Sequence, residues 1–313
     1  MHRRRQSSAL RIAVRAGAAT AIGASFAVPL LRKRLRIPPP VTIATAYSGP
    51  LALAVLTPRS KKRDVAMFTL QMLAFTFVHE IPYDDPERLR ARLRSRYPIA
   101  IDKAIGGGRL PNARLQRALA QLPGRGVLDR VLAWTHWLWF FEPYLALFVI
   151  LTRHNERFPR AARQMAAVFD LGCATYFALP TAPPWWASEQ GQTGEEVRRI
   201  MVEVGEKTWG PAWPKMYGAL GGNPWAAMPS LHFATSVSAA ISLSEAGRVE
   251  GALGWSYALT LGFALVYLGE HYVTDLLAGA ALVAAVRRGE PLAEPVIRTI
   301  NEKLLRLEKI ASG

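Results

Sequence analysis

Cysteine is almost missing from this chain. Cys173 is the only one in 313 residues, so no internal disulfide staples the fold and cysteine usage is silent on redox compartment. Acids are scarce too: 23 Asp and Glu stand against 39 Lys and Arg, a formal charge of +16. No nucleic-acid recognition motif accompanies that charge, and the basic residues flank apolar runs instead of lining one helix. Nucleic acid is therefore set aside as a partner. A phosphate loop is lacking as well, because no Lys-Ser/Thr opens a helix after Gly106-Gly107-Gly108, which reads as a turn. His2-Arg3-Arg4-Arg5 starts like a signal peptide, yet no small-residue cleavage site follows and Leu31-Arg32-Lys33-Arg34-Leu35-Arg36 is an odd sequel. Segment 11–31 reads as a retained anchor or interfacial helix. No soluble second domain is visible.

Apolar residues are abundant, at half of the chain. A soluble globule rarely joins that surplus to such a charge; a bilayer hides the first, and basic flanks facing anionic headgroups use the second. Apolar runs of roughly spanning length recur at 65–81, 131–152, 163–180, 228–244, 252–269 and 271–286, with weaker ones at 11–31 and 41–57. The expectation is an all-α integral membrane protein with a six-helix transmembrane core and one or two extra N-terminal helices. Its parts would be 1–64 (N-terminal helices), 65–290 (transmembrane catalytic domain) and 291–313 (cytoplasmic amphipathic tail). Tryptophans 134, 137, 139, 185, 186, 209, 213 and 225 suit an interfacial belt.

Short arginine-rich loops stay cytoplasmic. Arg153, Arg157, Arg160 and Arg163, the group Arg59, Lys61, Lys62 and Arg63, and the tail can all do so together, which puts loop 181–227 on the outer face, expected to be that of the plasma membrane. Loop 82–130 then lies outside despite its eleven basic residues. Its stretch 86–122 is expected to hold helices resting on headgroups. A short helix is expected over 194–207, where Gly194-Glu195-Glu196 would set acids at a positive helix end.

Two segments carry chemistry: Met228-Pro229-Ser230-Leu231-His232 opens one apolar run, and His271-Tyr272-Val273-Thr274-Asp275 opens another. One span crosses and 252–269 returns, so both histidines reach the same membrane face. His271 and Asp275 are four apart and share a helix face. A carboxylate on one ring nitrogen fixes the tautomer and leaves the other lone pair free to attack. His232 can protonate a departing oxygen, and Ser230 can donate to a phosphate oxygen beside helix N–H groups. The alternatives are a zinc or iron site built from the same three side chains and a transporter or lipid-binding protein without catalysis. Glu142 and Asp170, inside apolar runs, read as structural hydrogen-bonding partners, as do His136 and His79 near run ends.

These two motifs together resemble the signature of the type 2 phosphatidic acid phosphatase superfamily. Within it, Leu231 before His232, the His271-Tyr272 opening and the run Pro180-Thr181-Ala182-Pro183-Pro184-Trp185-Trp186 are most similar to the inositol phosphorylceramide synthase branch, the inositolphosphotransferases. The resemblance covers about Trp134 to Val286. It implies a membrane lipid substrate, no cofactor and no metal, with His271 as nucleophile, Asp275 as its orienter and His232 as general acid. The superfamily's phosphatases carry Ser-Arg where this chain has Ala264-Leu265, and their lysine–arginine–proline motif survives only as an echo, Lys103-x5-Arg109-x-Pro111. That leaves the cation that clamps the phosphate open among Arg198, Arg199, Lys207 and Lys215. Transfer to a second hydroxyl and hydrolysis of a lipid phosphate both remain open, and oligomeric state is unreadable.

Overall fold

A computed structural model describes residues 2–220 and 222–313. All of the regular structure among them is helical, apart from isolated bridges at Arg94–Thr181 and Thr181–Ala226. Proline explains much of the punctuation. Seven α-helices among the described residues carry it at their first or second position, where its missing N–H costs nothing and its fixed φ suits the turn.

The packing divides the chain into two compact units, one of 1–84 with 287–313 and one of 85–286. The expected divisions had been 64/65 and 290/291. The first unit holds α1 (His2–Leu35), α2 (Pro39–Leu56) and α3 (Lys61–Glu80). Gly49 lets α2 approach α1, since a Cβ there would sit 2.5 Å from Ser25 Oγ. Ser60 caps α3 by accepting from the Arg63 N–H at 3.1 Å. The basic cluster after the first apolar run has a use here. Arg32 forks onto Asp84 at 2.7 and 2.8 Å, and Lys33 joins the same carboxylate at 3.1 Å.

The second unit holds α4 (Pro86–Ala91), α5 (Arg96–Ile105), α6 (Pro111–Ala118), α7 (Arg125–Leu138), α8 (Glu142–Arg153), α9 (Phe158–Ala178), α10 (Pro184–Glu189), α11 (Ile200–Trp209), α12 (Trp213–Leu220), α13 (Leu231–Ala246) and α14 (Arg248–Tyr267). The last helix, α15 (Val273–Ser312), is continuous through the expected junction between span and tail and carries Pro291 and Pro295 within it. Gly106 closes α5, and Gly107 and Gly108 follow at positive φ, the turn that the three glycines announce.

Four helical segments among the described residues are long and apolar enough to cross a membrane: Ser8–Leu35, Pro39–Leu56, Lys61–Asp84 and Arg248–Tyr267. Two of these are the runs expected as N-terminal extras. Several runs expected as core spans take other forms. Run 131–152 is not one helix, because α7 stops at Leu138 and α8 restarts at Glu142-Pro143. With 16 residues, α13 reaches about 24 Å at 1.5 Å per residue, short of a hydrocarbon core of about 30 Å. Helix 194–207 also needs correction: α11 begins only at Ile200. Glu195 is not in its first turn but accepts the Leu110 N–H at 3.0 Å and meets Arg117 at 3.2 Å.

Candidate active site

The two histidine segments are held by their own backbones before any side chain meets. Ser230 sits at the N-cap of α13, where its hydroxyl accepts from the Phe233 N–H at 3.3 Å, and its own N–H donates to the Asp275 carbonyl at 3.0 Å. That single bond ties the start of α13 to the start of α15. From α9, the Tyr176 hydroxyl donates to the Pro229 carbonyl at 2.7 Å. Gly279 lets the two helices touch; a Cβ there would lie 2.8 Å from the Ser230 carbonyl oxygen.

The turn before His271 is tighter still. Gly269 has φ +85°, and a Cβ on it would meet the Arg198 carbonyl oxygen at 2.4 Å, so only glycine fits. Asn112 donates to the Val266 and His271 carbonyls at 2.8 and 2.9 Å. Gln116 donates to the Tyr267 and Arg198 carbonyls and accepts the Arg198 N–H. Asp102 accepts from the Val273 and Thr274 N–H groups at 2.9 Å each, capping α15, and from the Thr274 hydroxyl at 2.5 Å. These three residues come from the basic stretch expected to rest on headgroups. The sequence reading missed them, although one signal was present: Asp102 follows Ile99 by three on the buried face of an amphipathic helix.

On this frame three side chains form a chain. Asp275, fully buried, accepts at Oδ2 from the Tyr272 N–H at 2.9 Å and lies 3.2 Å from His271 Nδ1. His271 Nε2 then lies 3.3 Å from His232 Nδ1. With His271 Nδ1 donating to the carboxylate, Nε2 is the lone pair and His232 Nδ1 carries the proton between the rings. Trp139 packs on His232 at 4.1 Å between ring centroids and His136 at 4.9 Å. His136 is buried, and its Nδ1 has no hydrogen-bond partner among the described residues, a cost of about 1–3 kcal/mol if nothing fills it.

One of the four cations considered for the phosphate lies beside this chain. Arg199 grips Glu270, the neighbour of His271, at 3.0 and 3.3 Å, donates to the Tyr217 hydroxyl at 2.8 Å, and lies 3.8 Å over the Trp185 ring. Burial alone would favour its neutral form, but Glu270 outweighs that and keeps the guanidinium charged. Arg198 turns instead to Glu203, and Lys207 and Lys215 are exposed. Arg109, part of the degenerate echo, approaches Glu195 at 4.0 Å. Ala264 and Leu265 are fully buried, Ala264 against Leu132 and Ala133 of α7.

The proline–tryptophan run is part of the same construction. The Trp185 N–H donates to the Gly269 carbonyl at 3.2 Å, and Thr181 binds the Tyr97 hydroxyl at 2.6 Å. Of the acids in apolar runs, Glu142 accepts from Ser236, one turn beyond His232, at 3.2 Å. No cluster of three or more His, Cys, Asp or Glu side chains among the described residues is arranged to hold a metal ion.

The sequence model of the PAP2 superfamily matches residues 112–287. The match covers more than half of the chain and contains both histidine segments. The chain belongs to the PAP2 superfamily. This superfamily member is thus an enzyme of the general lipid phosphatase or phosphotransferase type acting on membrane lipids, and its apolar helices mark it as an integral membrane protein. The match starts at Asn112, so Asp102 and α5 lie outside it although they hold the His271 turn. No curated protein and no solved structure matches the chain.

Proposed function

We propose that this PAP2 protein moves a phosphoryl or phospho-headgroup from a lipid through a phosphohistidine on His271, in the manner of an inositolphosphotransferase. The observation that carries this reading is the contact chain Asp275–His271–His232, at 3.2 and 3.3 Å. The rings part as substrate arrives, since 3.3 Å between nitrogens leaves no room for a phosphorus atom. His271 Nε2 attacks phosphorus, a P–N bond forms, and the ester P–O bond breaks as its oxygen takes the proton from His232 Nδ1. In the second step an acceptor hydroxyl gives its proton to His232 and attacks phosphorus, and the P–N bond breaks. Ser230 and the first-turn N–H groups of α13 face a phosphate oxygen, with Arg199 as the clamp. Arg198, Lys207 and Lys215 serve at most the approach of an anionic headgroup.

Charge favours a phospholipid donor over a lipid monophosphate. One guanidinium, partly neutralised by Glu270, suits a phosphodiester with a single negative charge better than a dianionic monoester. The buried Ala264-Leu265 pair adds no further cation. Hydrolysis of a lipid phosphate is the alternative, with water in place of the acceptor. A site on the outer face of the plasma membrane completes the proposal.

Incubating the purified protein in detergent with labelled phospholipids and lipid phosphates, chelator present, tests it. A new phosphorylated lipid or polyol is the expected product, lost in His271→Ala. Free phosphate as the sole product would assign the protein to hydrolysis, and activity unchanged in His271→Ala would remove the nucleophile.

A further inference from the structure

We propose that His136 is a third imidazole of this site, binding an oxygen of the substrate's phosphate through Nδ1; the inference rests on the phosphate-transfer reading above. The ring is 4% exposed, and its centroid lies 4.9 Å from that of His232. Glu270, His271 and Arg199 are all within electrostatic reach of it. A phosphorus atom attacked by His271 and released beside His232 must sit among those same groups. His232 serves the leaving oxygen, Ser230 with the first-turn N–H groups of α13 one non-bridging oxygen, and Arg199 the other; each non-bridging oxygen accepts more than one hydrogen bond, so a further donor beside His232 has an acceptor to meet. Nδ1 of His136 is buried and has no partner among the described residues. A neutral imidazole carries one N–H, and a buried N–H is stable only when it finds an acceptor.

The backbone gives an independent indication. The apolar run 131–152 breaks after Leu138 and resumes as a helix at Glu142. The turn between the two helices is closed by the Trp139, Phe140 and Phe141 N–H groups, which donate to the His136, Trp137 and Leu138 carbonyls at 3.2, 3.3 and 3.0 Å. Here the break follows the turn of α7 that carries His136, and it places Trp139 against the same His232 ring. Ala264 of α14 and Ala133 of α7, two small and fully buried side chains, belong to the one apolar cluster in which these helices meet.

Asparagine and glutamine separate the two ring nitrogens, since an Asn side-chain N–H falls near Nδ1 and a Gln one near Nε2. The experiment compares H136N and H136Q with wild type in detergent by calorimetric binding of inorganic phosphate, by KM and kcat for a labelled phospholipid, and by Tm. The expected result is phosphate affinity within about threefold of wild type for H136N, but about tenfold or more weaker for H136Q, with the loss in KM. Equal binding by all three proteins overturns the proposal, and so does an equal loss in both variants with a fallen Tm, which marks a packing role. Turnover by wild type that ignores residue 136 leaves the phosphate-transfer reading standing. Wild type that neither binds phosphate nor turns over any lipid removes both.

Discussion

Asp275 is buried with one oxygen occupied by the His271 ring and the Tyr272 N–H, while its Oδ1 has no hydrogen-bond partner among the described residues. Such a carboxylate earns its place through the tautomer it selects more than through stability. Asp275→Asn keeps the shape and removes the buried charge, so Tm should hold or rise, while the amide no longer fixes the nucleophilic lone pair. Turnover should fall about 10²- to 10⁴-fold, and loss of Tm in step with activity would mark a structural role instead. Glu270 acts in the opposite sense, by competing with substrate for Arg199. Glu270→Gln should tighten binding of inorganic phosphate about three- to tenfold, the size of one charge-assisted contact partly screened by water. Weaker binding would mean that Glu270 orients Arg199 and does not hold it back.

At the scale of elements, the site is a meeting of two helix starts, and its precision comes from helices outside both motifs. Asp102 satisfies two N–H groups and a hydroxyl at the opening of α15. Asp102→Ala leaves those donors buried, so it should cost at least about 2 kcal/mol in thermal or denaturant unfolding, and activity should fall with it as His271 loosens. Unchanged stability would remove α5 from the scaffold. The histidine motifs were legible because their chemistry is local: His271 and Asp275 are one helical turn apart, and helix parity brings His232 to them. Asn112 and Gln116 were not, because their partners lie 82 to 159 residues away and nothing nearby in sequence distinguishes a buried amide from a solvated one; Asp102, 171 and 172 residues from the N–H groups it caps, left only its spacing from Ile99 as a signal. The break in 131–152 escaped for a related reason. Composition there is that of a continuous span; Pro143 was the one local mark of a new helix start, and the tertiary contacts of His136, Trp139 and Glu142 with α13 hold the break in place.

For the whole molecule, the charge surplus and the long apolar helices place the protein in a bilayer, and orientation decides which pool of lipid it meets. Cys173 is buried, so the protein is close to a silent background for thiol labelling. With Gln192→Cys and Glu302→Cys at exposed positions, a membrane-impermeant maleimide on intact cells should label the first and spare the second; the reverse pattern would put the site in the cytoplasm. The central claim, that phosphorus is displaced twice through His271, is tested most directly by stereochemistry. Turnover of a donor made chiral at phosphorus should give a product with retained configuration, two in-line displacements each inverting the centre. Net inversion would mean a single direct transfer from donor to acceptor and would contradict the account.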